Sequence, residues 1–235
     1  MASVLLVMNE TGKADANKVF ADQSASAHTV TNTGSKCEWD TAIYKSAMDD
    51  SVLFNGTDAY LTVAESTDFE FGTGDWCVEG YFYPSSTASA PEIWEIEGSY
   101  NQVRPMLEMS TGGNYGRLRL WANSVNLIST DGTYLVADTW THVSVVCRSR
   151  IITIFINGTA FGTTYDASLL TFTKGAFDIG YYFSGAGWWK GNMCALAVYK
   201  GTLPRGAGNF TPPTIPISEG GGTYYSPLPT YRPGL

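Results

Sequence analysis

The sequence is poor in charged residues and contains no basic run. Charged residues make up 15% of its 235 positions, and 14 lysines and arginines stand against 22 aspartates and glutamates, a formal net charge of −8. A surface of this sign repels the phosphate backbone of nucleic acids, which proteins bind through clustered lysine and arginine. The composition therefore excludes nucleic acid as an expected partner.

A secretion leader and a long apolar segment are also missing. The apolar run that opens the chain, Val4-Leu5-Leu6-Val7-Met8, has no basic residue before it. A signal peptide requires a charged region followed by about 7–15 apolar residues. A membrane span requires about 18 apolar residues. We therefore expect synthesis in a cytoplasm, no export through a signal peptide and no membrane insertion.

Metal-ligand spacing is absent as well. The two histidines, His28 and His142, have no cysteine at the paired spacing of a zinc site. Without a secretion signal, widely spaced cysteines are typical of reduced thiols packed as small apolar groups. We expect this of all four cysteines, Cys37, Cys77, Cys147 and Cys194. We expect His142 to be a hydrogen-bonded structural residue.

The sequence also lacks the periodicity of amphipathic helices, and its pattern of short apolar runs is typical of β-strands. The chain has 25 glycines, 14 tyrosines, 11 phenylalanines and 7 tryptophans. Short apolar and β-branched runs are broken by turn residues every 8–12 positions or so, which predicts an all-β sandwich or barrel. Asn157-Gly158 is a strong hairpin signal. Ser51–Asn55 and Ala59–Val63 also predict a hairpin around Gly56-Thr57-Asp58.

Large aromatic residues in the predicted strands are candidates for the core. Alternation along Trp76–Tyr83 places Trp76, Val78 and Phe82 on one face of a strand. We expect Trp76, Phe82 and Trp140 to lie between the two sheets.

The C-terminal segment has a different composition from the rest. Seven of the ten prolines fall at or after Pro204, and proline removes backbone donors that a central sheet needs. We predict a sandwich over residues 1–201 and an extended arm over 202–235 that is ordered by contact with another subunit. The arm contacts are assigned to its aromatic and apolar residues, Phe210, Pro212, Pro213, Ile215, Tyr224, Tyr225 and Tyr231.

Four segments, in the same order, resemble laminin-G-like, concanavalin-A-like jelly rolls. They are SVLFNGTDAYLTVAESTDFEFGTGDWCVEGYFYP, DTWTHVSVVCRSRIITIFINGTAFG, GAFDIGYYFSG with WWKGNMCALAVYKGT, and the opening LLVMNETGKADANKVFADQSASAHTVTNTGS. The opening is similar to versions common in tailed-bacteriophage genomes. The resemblance covers residues 3–201 and implies a two-sheet antiparallel β-sandwich. It does not choose a function, because this fold hosts lectins, glycosidases, adhesion modules and virion proteins.

The segment Glu92–Glu97 invites comparison with jelly-roll glucanases, which carry their catalytic carboxylates on one strand as E-x-D-x-E. On a regular strand Glu95 and Glu97 share a face. Ile93, however, occupies the position of the third carboxylate, and Glu95 stands where the pattern has aspartate. We therefore predict an edge strand with solvated glutamates and no enzyme activity.

Two groups of residues are candidates for binding. The aromatic rings of one glycine-containing loop, Tyr181, Tyr182, Phe183, Trp188 and Trp189, could stack on sugar rings. The alternative is that these rings cover the core or a subunit contact. Asp58, Asp68 and Asp75 are weak candidates for Ca²⁺, which takes six to eight oxygen ligands or so. The alternative for them is turn capping, and no other cofactor is expected.

Together these features predict a non-enzymatic structural protein of a tailed-bacteriophage virion. It would be a capsid decoration or a tail fibre or appendage, located in the virion, in contact with other virion proteins and homo-oligomeric. The alternative is a lectin-type adhesin that recognises a host-surface glycan.

Overall fold

The computed structural model describes residues 4–10, 12–45, 48, 50–85, 91–97, 104–109, 116–182, 187–204, 206 and 208–214. Strands dominate this part of the chain, and its two helices are single 3-10 turns at Thr33–Ser35 and Thr67–Phe69. Neither helix is long and apolar enough to cross a membrane. The strands are β1 Leu5–Val7, β2 Val30–Asn32, β3 Glu38–Asp40, β4 Ser51–Asn55, β5 Leu61–Val63, β6 Trp76–Pro84, β7 Glu92–Ile96, β8 Met106–Met109, β9 Leu118–Ala122, β10 Val125–Ser129, β11 Thr141–Arg148, β12 Ile151–Ile156, β13 Thr159–Asp166, β14 Phe177–Ile179 and β15 Lys190–Lys200.

The strands form two antiparallel sheets packed as a sandwich. One sheet has the order β13-β12-β11-β6-β15-β4-β3, with β1 also paired to β15. The other has the order β10-β9-β8-β7-β14-β5-β2. The prediction of an all-β, two-sheet antiparallel sandwich of the jelly-roll type is confirmed.

The core lies between the sheets and follows the alternation of the strands. Trp76, Val78 and Phe82 of β6 point into it, as predicted. The expected position of Trp140 is wrong, because its ring packs on the outside of the larger sheet, 5.3 Å from the ring of Tyr83. Trp140 precedes β11, so the alternation of that strand does not fix the direction of its side chain.

The predicted turns have mixed outcomes. Asn157 and Gly158 join β12 to β13 with φ of 48° and 78°, so this hairpin is confirmed. The hairpin expected at 56–58 is wrong, because β4 belongs to the larger sheet and β5 to the smaller one. The Oδ1 atom of Asn55 accepts hydrogen bonds from the backbone N–H groups of Thr57 and Ala59, at 2.9 and 3.1 Å. This local bonding turns the chain from one sheet to the other.

The four cysteines are free and buried, which confirms the prediction of reduced, packed thiols. Burial raises the pKa of the Cys37 and Cys194 thiols strongly, and raises the pKa of Cys147 to about 11. Thiols with such pKa values remain protonated and unreactive at neutral pH.

The outer face of the larger sheet carries a second buried cluster, here called the outer apolar cluster. The described start of the arm covers part of it, with the Phe210 ring 5.3 Å from that of Phe155. The Phe210 N–H donates to the Gly158 carbonyl at 2.8 Å, and the Tyr81 hydroxyl donates to the Pro213 carbonyl. The cluster contains Met48, Cys77, Tyr81, Val146, Phe155, Cys194, Ala195, Ala197, Tyr199 and Leu203, with Trp140 and Phe210 packed against it.

The arm therefore contacts its own jelly roll over residues 208–214, where Pro212 is partly buried and Pro213 is buried. Ile215, Tyr224, Tyr225 and Tyr231 lie outside the described residues. Contact of the arm with another subunit stays a prediction.

His142 lies next to Phe210. Within the described residues, its ring lacks the hydrogen bonds that we expected from the sequence. Its ring is buried, 5.8 Å from the Phe210 ring and 4.9 Å from the Tyr81 ring. Neither ring nitrogen has a hydrogen-bond partner in the described part of the chain, and Nε2 is 3.4 Å from an oxygen of buried Glu79. Aromatic packing and a nearby carboxylate surround the ring, and a structural role for His142 stays a prediction.

Candidate functional site

The outer face of the smaller sheet carries polar side chains in two rows. The cross-strand register aligns Thr62, Asp178, Glu95, Met106 and Trp121 along one row. A second row contains Glu92, Glu108 and Arg119. Directly opposed residues on paired strands share a face, with Cβ atoms about 4.5–5.5 Å apart. We call the set Glu92, Glu95, Glu97, Glu108 and Asp178 the acidic face.

A bulge in β7 brings Glu92 onto this face. The register of β7 against β8 shifts between Glu92 and Trp94. One additional residue in a strand lets side chains three positions apart point the same way. Glu92 therefore lies on the same side as Glu95, while Ile93 and Trp94 are both buried in the core.

The expectation of an edge strand with solvated glutamates is wrong. β7 lies inside its sheet, between β14 and β8. Glu92 is 1% exposed and Glu95 is 2% exposed, whereas Glu97, just after the strand, is exposed. The reason is the pairing with β14, which is more than 80 residues away in sequence and covers the second edge of β7.

Glu108 of the acidic face is paired with an arginine. The Arg119 guanidinium lies 2.5 Å from Glu108 Oε1, and the Trp121 indole N–H donates to the same oxygen at 2.6 Å. Burial raises the pKa of Glu108, and these two contacts lower it in part. Arg119 also lies 5.3 Å from the centre of the Trp121 ring.

Two further buried carboxyl groups, those of Glu92 and Asp178, hold their protons more tightly than in water. Burial first, and then the negative charges of Glu95 and Glu108, raise the pKa of Glu92 well above its ordinary value. Glu92 Oε1 is buried without a hydrogen-bond partner among the described residues. Burial raises the pKa of Asp178 to about 6, although the Thr62 hydroxyl donates a hydrogen bond to it.

Three aromatic rings pack together beside Asp178, and we call them the aromatic triad. Tyr60 stacks on Tyr181 with ring centres 4.4 Å apart. Trp188 lies 4.5 Å from Tyr181 and 5.7 Å from Tyr60. All three side chains are partly exposed. Burial raises the pKa of Tyr181, and the charges that raise it further are those of Tyr60, Asp178, Glu95 and Glu97.

The structure places the residues of the predicted aromatic loop in different environments. Tyr181 and Trp188 come together, and they are joined by Tyr60, which the sequence did not single out. Trp189 is fully buried in the core, 6.0 Å from the Phe82 ring, as the alternative interpretation has it. Tyr182 is partly exposed, and Phe183 lies outside the described residues.

The three candidate calcium ligands have separate local partners. Asp58 contacts Lys36 at 3.3 Å and accepts a hydrogen bond from Asn55 at 2.6 Å. Asp68 lies 3.0 Å from His28, and Asp75 accepts a hydrogen bond from the Ser149 N–H at 2.7 Å. Within the described ranges no group of three or more His, Cys, Asp or Glu residues could hold a metal ion. Calcium binding stays a prediction.

Residues 55–206, more than half of the chain, match a laminin G-type family model described as the concanavalin A-like lectin/glucanases superfamily. The chain belongs to this superfamily. The match includes the aromatic triad and all five residues of the acidic face. A comparison with curated protein sequences gives no match.

Solved structures share the fold of this superfamily member at low sequence identity. The botulinum neurotoxin serotype D binding domain aligns with a TM-score of 0.63 and 11% identity, over 86% of this chain and 49% of that one. The binding domain of Paraclostridial Mosquitocidal Protein 1 aligns with a TM-score of 0.59 and 11% identity, over 86% of this chain and 49% of that one. This chain therefore spans about half the length of those binding domains.

A third solved structure is closer to this chain in length. Domain 4 of a GH43 extracellular arabinanase from Geobacillus stearothermophilus, solved in complex with arabinotriose, aligns with a TM-score of 0.54 and 15% identity. The alignment covers 77% of this chain and 87% of that domain. The superfamily member thus has a lectin-like jelly roll of the type found in carbohydrate-binding domains.

Proposed function

We propose that this superfamily member is a non-catalytic module that binds carbohydrate on the outer face of its smaller sheet. The observation that carries the proposal is the aromatic triad, which lies partly exposed beside buried hydrogen-bonding groups. Aromatic faces pack against the apolar faces of sugar rings. Ligand sites combine such apolar surface with a few well-placed polar groups that fix orientation.

The polar groups beside the triad suit hydroxyl groups. Thr62 lies next to Asp178 in one row and is partly exposed, and Glu97, just after β7, is exposed, whereas the carboxyl groups of Asp178 and Glu95 in the same row are buried. A carboxylate accepts hydrogen bonds, and a threonine hydroxyl both donates and accepts. A sugar stacked on Tyr181 or Trp188 would place its hydroxyl groups toward Thr62 and Glu97.

Burial of the carboxyl groups supports binding rather than hydrolysis. Two glycosidase carboxyl groups flank the scissile bond and must reach its atoms and a water molecule. Glu92 is 1% exposed and Glu95 is 2% exposed, so neither presents an accessible acid or base at the surface. The exposed Glu97 has no equally exposed partner among the described glutamates of this strand.

The test compares two tryptophans that lie outside the core on opposite sheets. We expect Trp188→Ala and Tyr181→Ala to weaken binding by about tenfold or more, the size expected for loss of a central aromatic contact. Trp140→Ala, on the larger sheet, is the matched control and should bind as the parent does. Binding would be measured by affinity electrophoresis and calorimetry on a panel that includes arabino-oligosaccharides.

Two results would contradict this proposal. One is equal glycan binding by Trp188→Ala and the parent chain. The other is release of new reducing ends from any glycan of the panel, because this requires a catalytic site.

A second candidate is the structural virion protein expected from the sequence, and the observation that favours it is the anchored arm. We propose that Phe210 and Pro213 hold the start of the arm on the larger sheet and that the arm contacts other virion proteins or copies of the same chain. The location would then be the virion of a tailed bacteriophage. Binding to a host-surface glycan through the smaller sheet is compatible with a place on a tail appendage.

This second candidate has its own test. Density-gradient fractionation of a phage lysate from the native source, followed by mass spectrometry, should find the chain in the band of intact particles. Deletion of residues 211–235 should remove it from that band and leave glycan binding unchanged. Recovery of the full chain only in the soluble fraction would reject the virion role.

A further inference from the structure

Another aromatic side chain, Trp121 of β9, lies on the same outer face as the aromatic triad but away from it. Trp121 is partly exposed, whereas Leu120 and Ala122 on either side of it point into the core. Side chains alternate along a strand, so the Trp121 ring lies on the outside of the smaller sheet. The cross-strand register places it in the row of Asp178, beside which the triad lies.

The strand order gives the separation between Trp121 and the triad. β9 is the third strand from β14, with β7 and β8 between them. Neighbouring strands lie about 4.8 Å apart, so Trp121 lies roughly 14 Å from Asp178 across the sheet. A sugar ring that packs on Tyr181 or Trp188 therefore cannot also reach Trp121, whereas a later ring of the same chain can.

Met106 lies between these two aromatic positions. It occupies the place between Glu95 and Trp121 in the row and is partly exposed, while Glu95 is 2% exposed. The flexible, apolar side chain of methionine adapts to the shape of what packs on it. Accessible aromatic or apolar surface is thus present at the triad, on β8 and on β9.

The Trp121 ring is held in one orientation by its neighbours. Its indole N–H donates to Glu108 Oε1 at 2.6 Å. The Arg119 guanidinium carbon lies 5.3 Å from the centre of the ring, and the same guanidinium contacts Glu108 at 2.5 Å. A side chain that is fixed before binding loses less conformational entropy when a ligand packs on it. Trp121 therefore offers a pre-oriented aromatic surface.

The ion pair beside Trp121 can form hydrogen bonds with sugar hydroxyl groups. The side chains of Arg119 and Glu108 are 26% and 12% exposed, so both reach solvent. A guanidinium has more N–H donors than one contact with a carboxylate oxygen uses, and a carboxylate accepts several hydrogen bonds. Because the two charges are paired with each other, this combination of ring, donors and acceptors suits an uncharged ligand.

We propose that the ligand is a linear, uncharged oligosaccharide that crosses the strands of the smaller sheet, with one ring on the aromatic triad and a later ring on Trp121. This rests on the proposed glycan-binding function and narrows it to internal stretches of an extended chain. A mono- or disaccharide reaches one of the two aromatic positions. A longer chain reaches both, and the second contact then forms within an existing complex, which strengthens binding.

The first test measures how affinity depends on chain length. Calorimetry would compare linear arabino-, gluco-, xylo- and manno-oligosaccharides, each from the disaccharide to the hexasaccharide. For the sugar that binds, affinity should rise at least about tenfold from the disaccharide to the pentasaccharide, the size expected for one added aromatic contact. It should change little beyond the length that reaches Trp121.

Variants then assign the second contact. Trp121→Ala should remove the gain with length and leave the disaccharide bound as in the parent, whereas Trp121→Phe, which keeps an aromatic ring, should retain most of the gain. Trp188→Ala should weaken binding at every length. Trp140→Ala, on the larger sheet, is the control and should bind every length as the parent does. The unfolding temperature of each variant shows that it is folded.

The outcomes separate this inference from the function on which it rests. Equal affinity of the parent for all lengths, with binding still lost in Trp188→Ala, would overturn the extended-chain assignment and keep glycan binding. A gain with length that survives in Trp121→Ala would also overturn it, as would an equal loss for short and long chains in that variant. No binding of any glycan would reject the proposed function itself.

Discussion

The outer faces of the two sheets differ in what covers them. On the larger sheet, alternate side chains form the outer apolar cluster, and the chain covers part of it with Phe210 and neighbouring residues of its own arm. On the smaller sheet, the corresponding positions carry the acidic face and the partly exposed aromatic triad. The outer face of the larger sheet is covered in part by the arm of the same chain. The outer face of the smaller sheet carries polar and aromatic groups suited to an external ligand.

This difference shows how a sandwich can divide two tasks between its layers. An apolar outer face is stable only when it is covered, because exposed apolar patches of this kind favour association. A face of buried carboxyl groups costs stability, because burial disfavours their charged forms. The predictions below test whether the first face supplies stability and the second one is tuned for binding.

The largest effect is expected at Phe155, on the larger sheet. Its side chain is 1% exposed and contacts the Phe210 ring. Phe155→Ala should lower the free energy of unfolding by about 3–5 kcal/mol, as is usual for a buried phenylalanine. The comparison is Trp121, a partly exposed aromatic residue on the outside of the smaller sheet. Trp121→Ala should lower the free energy of unfolding by clearly less than Phe155→Ala does. Equal losses in urea unfolding would show that the two faces contribute alike.

The second effect concerns Asp178 and has a defined pH dependence. Its pKa is raised from 3.8 to about 6 in the folded chain, so the folded state binds more protons than the unfolded state between these values. The free energy of unfolding should therefore fall as pH rises from about 4 to 6 and change little from this group above that. Asp178→Asn should remove the part of this decrease that Asp178 causes and stabilise the protein at neutral pH by about 1–3 kcal/mol.

Urea unfolding at a series of pH values measures this directly. Glu92, whose pKa is also raised, contributes in the same direction, so Asp178→Asn should reduce the slope without abolishing it. A parent protein that becomes more stable between pH 4 and 6 or so would contradict the burial argument.

The smallest effect is expected at the arm. Phe210 is half-buried and joins the arm to Phe155 and His142. Phe210→Ala should lower the free energy of unfolding by about 1–2 kcal/mol and make residues after Gly201 more sensitive to limited proteolysis. Glycan binding by the triad should not change. A variant with parental protease resistance would show that the arm is held by other contacts.

Local patterns allowed much of the larger sheet to be predicted from the sequence. The two-residue alternation of β6 and the Asn157-Gly158 turn depend on neighbouring residues alone. β3, β8 and β10 gave no such signal, because each is short and has a polar residue, Glu38, Glu108 or Asn126, among its apolar ones. The position of Trp140 was predicted wrongly because this residue lies just before β11, where the alternation of the strand does not apply.

The candidate site was less predictable because it is assembled from distant segments. Tyr60 follows the turn after β4, whereas Tyr181 and Trp188 lie more than 100 residues later. Trp188 and Trp189 are adjacent in sequence, yet one is partly exposed and the other is in the core. Only the strand order, which depends on long-range pairing, decides which of them can contact a ligand.

The bulge in β7 also has a consequence for how relatives of this chain would be compared. Without Ile93, the segment would read Glu-Trp-Glu-Ile-Glu, in which every second residue is a glutamate. On a regular strand these glutamates would share the face that Glu92 and Glu95 occupy here through the bulge. A single inserted codon is therefore enough to hide three aligned carboxylates from any search that assumes fixed spacing, and a single deleted codon would reveal them.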